Sequence, residues 1–127
     1  MLLSATDLSN HLACVYLSEL NYKSATGLLS RPRRDDPGIE ALQQRGMLHE
    51  AAFVDNLRSQ GMKVVSLSPE DGDGTSTIEA MRGGADAIVQ ASLSAKCWRG
   101  RADVLLKVEG ASDLGTYHYI PIDTKLS

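Results

Sequence analysis

Residues 99–126 constrain the fold of this chain more than any other stretch, because they read as two β-strands joined by a turn. The first arm covers residues 99–108 and the second residues 117–126. Between them, Glu109-Gly110-Ala111-Ser112-Asp113-Leu114-Gly115 has a turn-forming composition. Side chains alternate between the two faces of a strand. One face then holds Ala102, Val104, Leu106, Val108, Ile120, Ile122, Thr124 and Leu126, almost wholly apolar, which predicts burial. The other holds Arg101, Asp103, Leu105, Lys107, Tyr119, Pro121, Asp123 and Lys125, which predicts a wetter face. A hairpin symmetric about Asp113 sets Asp103 opposite Asp123. Directly opposed residues have Cβ atoms about 4.5–5.5 Å apart, and two carboxylates that close repel each other. A divalent cation between them turns repulsion into attraction. Lys125 follows Asp123 by two residues on the same face. Two acids to hold a metal and an ammonium beside them suit a phosphate-cleaving site. The same residues also suit a solvated sheet face with scattered charges, and position alone does not choose between the two.

The rest of the chain predicts helix, helix, strand, short helix and strand, in that order. A first helix runs from a short lead to about residue 23, capped by Ser4 or Thr6 with Asp7 in its first turn. Leu8, Leu12, Val15, Tyr16 and Leu20 give it an apolar side. Residues 30–37 form a linker. Its Arg31, Arg33 and Arg34 can meet a phosphate backbone, but Asp35 and Asp36 cancel most of that field, which favours a solvated loop. Pro37 suits the first turn of a second helix that ends before Gly61. Its inward stripe reads Ile39, Leu42, Gly46, His49, Phe53 and Leu57. A histidine on an apolar face needs a partner or a metal; a carbonyl is the simpler partner. Gly46, one turn before His49, would let a sheet approach closely. Glu50 lies about 100° around the helix from His49, at the rim of a site or in solvent.

Residues 62–67 read as a strand and residues 70–74 as a loop. Counted from Asp71, a calcium-binding loop needs glycine where Ser76 stands and glutamate where Arg82 stands, so the motif fails. Thr75, Ser76 or Thr77 caps a short helix closed by Gly83-Gly84, and residues 86–93 form a strand. This order predicts one α/β (α+β) domain over residues 1–127, with a mixed sheet flanked by helices.

At 127 residues with 43% apolar composition, the chain can bury one modest core. Its net charge of −3 removes a strongly basic nucleic-acid module, so DNA contact would need a local basic rim. Cys14 and Cys97 lack a metal-ligand spacing and do not suggest a disulfide scaffold. No signal-peptide pattern and no run of about 20 apolar residues occurs, which makes a cytoplasmic protein without membrane contact the expectation.

Three motifs stand in order: Gly46-Met47-Leu48-His49-Glu50, Gly100-Arg101-Ala102-Asp103 and Ile122-Asp123-Thr124-Lys125. Together they resemble the G-x-x-H-E, G-R-x-D and hydrophobe-D-x-K motifs of RecB-like nucleases, a branch of the PD-(D/E)XK superfamily. Residues 3–8 and the Arg-Pro-Arg-Arg-Asp-Asp-Pro run are similar to a bacterial group of these nucleases. The resemblance implies a restriction-endonuclease-like fold and a metal-dependent DNA nuclease of repair or recombination. It implies His49, Asp103, Asp123 and the Thr124 backbone carbonyl as metal ligands, with Asp103, Asp123 and Lys125 catalytic. Lys125 would orient water or stabilise transition-state charge; Arg101 would steady the DNA backbone. Oxygen ligands favour Mg²⁺, and an imidazole makes Mn²⁺ more welcome. Some RecB-like nucleases pair an early cysteine with later ones around an iron–sulfur cluster; Cys14 has no such later cluster here. Members also carry a further helix after the D-x-K, and some a helicase-like region. The expectation is therefore the N-terminal part of a longer protein, incomplete in activity alone. Two alternatives remain: a non-catalytic DNA-binding or docking module of a helicase–nuclease protein, and a hydrolase of another phosphorylated substrate.

Overall fold

Ser4 begins the regular structure. Its hydroxyl accepts from the Asp7 amide while the Asp7 carboxylate accepts from the Ser4 amide, a reciprocal cap. The computed structural model describes residues 2–33, 35–68, 70 and 72–124. The elements are α1 (Ala5–Ala13), α2 (Val15–Ala25), α3 (Pro37–Ser59), β1 (Val64–Ser66), α4 (Thr75–Arg82), β2 (Ala87–Ala95), β3 (Trp98–Ser112) and β4 (Gly115–Ile122).

The single N-terminal helix expected from the sequence is two helices. The chain breaks at Cys14, which takes extended angles (φ −162°, ψ 109°) with neither proline nor glycine present. Helix propensity is a weak prior that tertiary contacts override. Here Leu3 pairs with Trp98 as an isolated bridge, and His11 Nδ1 lies 2.9 Å from Ser18 Oγ across the corner. The expected apolar side stays largely in solvent: Leu12, Val15 and Tyr16 are exposed.

α3 has the expected limits. Asp36 caps it, its carboxylate accepting from the Gly38 amide at 2.9 Å, and Gly61 follows its end with φ 80°. The stripe is corrected. Ile39, Leu42 and His49 are exposed, and burial is confined to the C-terminal half, where Val54 and Leu57 are buried and Phe53 half-buried. A Cβ added at Gly46 would meet nothing within 4 Å, so that glycine serves no close approach. The α4 cap is also corrected. Gly74 holds the cap position at φ 82°, and Asp73 Oδ1 accepts from the Thr75 amide at 3.0 Å. Thr77 is buried instead and donates to the Ser92 carbonyl at 2.8 Å, tying α4 to β2.

The four strands form one mixed sheet in the order β1-β2-β3-β4. β1 and β2 are parallel, joined through α4; the other neighbours are antiparallel. Apolar residues cover both faces. Under α3, Leu57 packs with Ala87 and Val104, flanked by Phe53, Leu106 and Ile122. On the α4 side, Ala85, Ile88, Ala91 and Leu105 form a second cluster with Ala80, Met81 and Tyr119. The hairpin face expected to be wet is thus partly core: Leu105 is buried there. The sequence pattern assumed a one-faced sheet, whereas helices on both sides need apolar residues on both.

Lys107, expected in solvent, joins a latch at the same end. Its Nζ lies 3.2 Å from Asp86 Oδ1 and donates to the Gly84 carbonyl at 3.1 Å. Asp86 Oδ2 accepts from the Lys63 amide at 2.7 Å. The Tyr117 and Tyr119 hydroxyls donate to the carbonyls of Met81 and Ala85. The Lys63 amide, and then the Lys107 ammonium, hold the Asp86 carboxyl below its ordinary range. A lowered folded-state pKa contributes stability that is complete above the unfolded value, about 3.9. That contribution is lost as pH falls through the lower folded value. Asp86→Asn is therefore expected to destabilise by about 1–2 kcal/mol near pH 7, reduced from a buried pair by solvent screening. Urea unfolding checks this: the difference from wild type should shrink once the Asp86 carboxyl is protonated in both the folded and the unfolded state, and a pH-independent difference would refute the assignment.

Among the described residues, no helix is long and apolar enough to cross a membrane.

Candidate functional site

β2 runs apolar through Ala87, Ile88 and Val89 and then carries Gln90, an amide that must find a partner in a central strand. Gln90 Nε2 donates to Glu50 Oε1 of α3 at 2.7 Å. The backbone at Gln90 has φ 56°. That left-handed region is uncommon for a residue with a side chain and costs about 1–2 kcal/mol.

The kink resets the alternation of the sheet. Val89 and Gln90 both line the groove beside α3, whereas Ala91 joins the cluster on the α4 side. β3 slips in the same place: Val104 packs under α3, but Ala102, two residues away, packs on the α4 side. Asp103 sits at this slip. It falls opposite Gln90, between the pairs Val89↔Val104 and Ala91↔Ala102.

The hairpin register completes the row. Pairs from Val104↔Ile122 to Glu109↔Tyr117 are symmetric about Asp113, with a shift only toward the turn. Asp123 follows Ile122 directly, so the chain continues beside Asp103. Thr124 confirms this closeness: its amide and its hydroxyl donate to Asp103 Oδ2 at 3.2 and 3.3 Å. Glu50, Gln90, Asp103 and the Asp123-Thr124 pair thus follow one another across α3, β2, β3 and the end of β4.

Of the residues named from sequence, the structure sets Asp103 beside the Asp123-Thr124 pair, and Glu50 bonds Gln90, the residue opposite Asp103. Asp103 is half-buried and Asp123 exposed. Arg101 is exposed on β3, opposite Ser92. His49 is exposed. Consecutive helix residues are about 100° apart, so the turn that brings Glu50 to the sheet carries His49 away from it. Lys125 lies outside the described residues. Among the described residues, no three His, Cys, Asp or Glu side chains gather closely enough to hold a metal ion. Asp103 and Asp123, neighbours across the strands, offer carboxylate oxygens of the kind a hard divalent cation takes.

Beside the row lies an open groove of about 510 Å³, lined by Met47, Glu50, Val54, Arg58, Ser66 and Gln90. Arg58 Nη2 donates to Ser66 Oγ at 3.2 Å on its wall. A second cleft, of about 390 Å³, lies between α1, α2 and Trp98. Its polar side chains are engaged with close neighbours. Asp7 bonds Ser4, which holds its carboxyl below the ordinary range; His11 meets Ser18; Arg31 donates to Asn21 at 3.1 Å. The polar side chains of the groove at Glu50 are likewise engaged, Glu50 with Gln90 and Arg58 with Ser66, so what sets that groove apart is its place beside Asp103 and Asp123.

Sequence reasoning gave Gln90 no role. The available signal was its place: one long polar side chain inside an apolar strand. No family model, curated protein or solved structure matches the chain.

Proposed function

We propose that this chain forms the metal-binding part of a RecB-like, metal-dependent DNA nuclease with a restriction-endonuclease-like sheet, serving repair or recombination. The observation that carries the reading is the row from Glu50 through Gln90 and Asp103 to Asp123. Its members are remote in sequence, and three of them are acids.

Asp103 and Asp123 would hold Mg²⁺ or Mn²⁺, with Glu50 on the helix side and the Thr124 carbonyl as a further oxygen. Bound there, the cation supplies charge neutralisation for a phosphodiester and a more acidic water. The chain's own groups supply the rest. The cross-strand register fixes the spacing of the two aspartates. Lys125, which follows Thr124, orients the attacking water or stabilises charge on the reacting phosphate. Arg101, on the exposed side of β3, steadies the nucleic-acid backbone.

Glu50 takes the place that the motif resemblance gives to His49, because Glu50 is the residue that reaches the sheet. Cleavage of end-labelled DNA under Mn²⁺ titration separates the two. Glu50→Gln is expected to lower the rate about tenfold or more. His49→Ala is expected to stay within about twofold, as for an exposed substitution. The reverse pattern would restore His49 as the ligand.

One observation favours a second reading. Leu12, Val15, Tyr16, Leu42, Met47 and Leu48 are all exposed, which suits a docking module of a helicase–nuclease protein. Metal-independent binding of DNA without any cleavage would select it.

A further inference from the structure

We propose that Trp98 and Tyr22 hold an unpaired base of single-stranded DNA in the cleft between α1, α2 and the start of β3; this rests on the nucleic-acid reading above. Three observations converge on it. The first is exposed aromatic surface around one cavity. Trp98 is the chain's single tryptophan, yet 42% of its surface stays in solvent. Tyr22 is exposed as well and lines the same cleft of about 390 Å³, with Leu8 beside it. Apolar and aromatic walls with a few polar groups are the usual make-up of a small-ligand site. The second is rigidity. Trp98 pairs with Ala95 of β2 and bridges to Leu3. The Leu3 amide donates to the Cys97 carbonyl and the Arg99 amide to the Leu3 carbonyl, each at 2.7 Å. A ring carried on backbone held this way gives up little freedom when a ligand binds. The third is charge. Residues 96–101 carry Lys96, Arg99 and Arg101, all exposed, and no acid, in a chain of net charge −3. Asp73 lies near enough to offset part of the Arg99 field.

The chemistry divides between the cleft and its rim. Inside, the Arg31 charge acts on the Asp7 carboxylate, so the two offset each other. A balanced interior suits a neutral base better than a phosphate. Arg31 donates to Asn21 Oδ1 through Nη2 alone. Its guanidinium and the Asn21 amide are donors of the kind that meet base-edge acceptors. Outside, Lys96, Arg99 and Arg101 follow the strand that starts at Trp98 and can track the phosphates. Cations along the backbone with rings for the bases is how proteins grip single strands. A duplex keeps its bases stacked inside and has none to offer this cleft.

The test reads binding of a dye-labelled oligothymidylate to the whole chain by anisotropy, with a chelator present so that no cleavage intervenes. Tryptophan emission comes from Trp98 alone and is expected to be quenched as the oligomer saturates the wild type. Trp98→Ala is expected to weaken binding about tenfold. Trp98→Phe, whose ring still stacks, should stay within about threefold of wild type. Tyr22→Ala, at an exposed position of α2, should weaken binding about fivefold and guards against a folding failure at Trp98. An abasic deoxyribose-phosphate oligomer of equal length keeps the charge and lacks the bases. It should bind the wild type about tenfold more weakly than oligothymidylate, and bind Trp98→Ala and wild type alike. Oligothymidylate held equally by wild type, Trp98→Ala and Tyr22→Ala, with Trp98 unquenched, would overturn the inference while leaving the DNA reading intact. Equal wild-type affinity for the abasic oligomer would also overturn it. A wild-type chain that binds no DNA would sink the nucleic-acid reading, and this inference with it.

Discussion

On the proposed nuclease reading, Asp103→Asn is expected to lower metal-dependent DNA cleavage about a thousandfold while leaving the fold in place. Metal-held charge stabilisation of a phosphoryl transition state is worth several kcal/mol, and each 1.36 kcal/mol is about a factor of ten in rate. The substitution keeps the shape of the side chain. Asn Oδ1 can still accept from the Thr124 amide or hydroxyl, which now bond Asp103 Oδ2. What it removes is one negative charge at the crossing of β2, β3 and the end of β4. Stability should therefore change by less than about 1 kcal/mol. The measurement pairs initial cleavage rates over a Mg²⁺ series with a urea unfolding curve. A variant that keeps more than a tenth of the wild-type rate would remove Asp103 from the reaction. A variant that unfolds would make the Thr124 bonds, not the charge, its main contribution.

The parts of this row that sequence could supply are those set by local rules. The register of β3 and β4 follows from a turn centred on Asp113, and both aspartates follow from it. The limits of α3 follow from the Asp36-Pro37 start and from Gly61. The phase of α3 did not follow. The expected stripe held at Phe53 and Leu57 but failed at Ile39 and Leu42, which lie in the exposed half of the helix, and at His49. The side that meets the sheet runs through Glu50, Phe53, Val54 and Leu57, one residue over from His49. The sheet misled in a second way. Alternation predicts faces only while the strand stays regular, and the left-handed turn at Gln90 breaks it. No periodic pattern announces a backbone angle. The same limit applies at Cys14, where the N-terminal helix breaks without a breaking residue. The mixed-sheet class was legible because element order depends on none of these details.

The largest loss of stability is expected from Ile88→Ala. Ile88 is fully buried, and it pairs with Val65 of β1 and Leu105 of β3. Its cluster neighbours include Ala85 and Ala91, whose side chains are too short to fill a vacated space. Core truncations of this kind cost about 2–5 kcal/mol, rising with the cavity that remains. Poor collapse places this site in the upper half, at about 3–4 kcal/mol. Domains of this size hold only about 5–15 kcal/mol in total. The midpoint of thermal unfolding should fall by roughly 10–20 °C. Leu12→Ala is the control: Leu12 is 78% exposed, so it should change stability by no more than about 0.5 kcal/mol. Urea unfolding with an unchanged slope reads both values. Comparable losses in the two variants would mean that Leu12 is covered in solution, which would favour the docking reading of the exposed apolar side. A loss at Ile88 alone fits the two-faced sheet, and it reaches the site as well. Ile88 anchors β2 two residues before Gln90, so loosening it weakens the strand that holds Gln90 at φ 56° against Glu50.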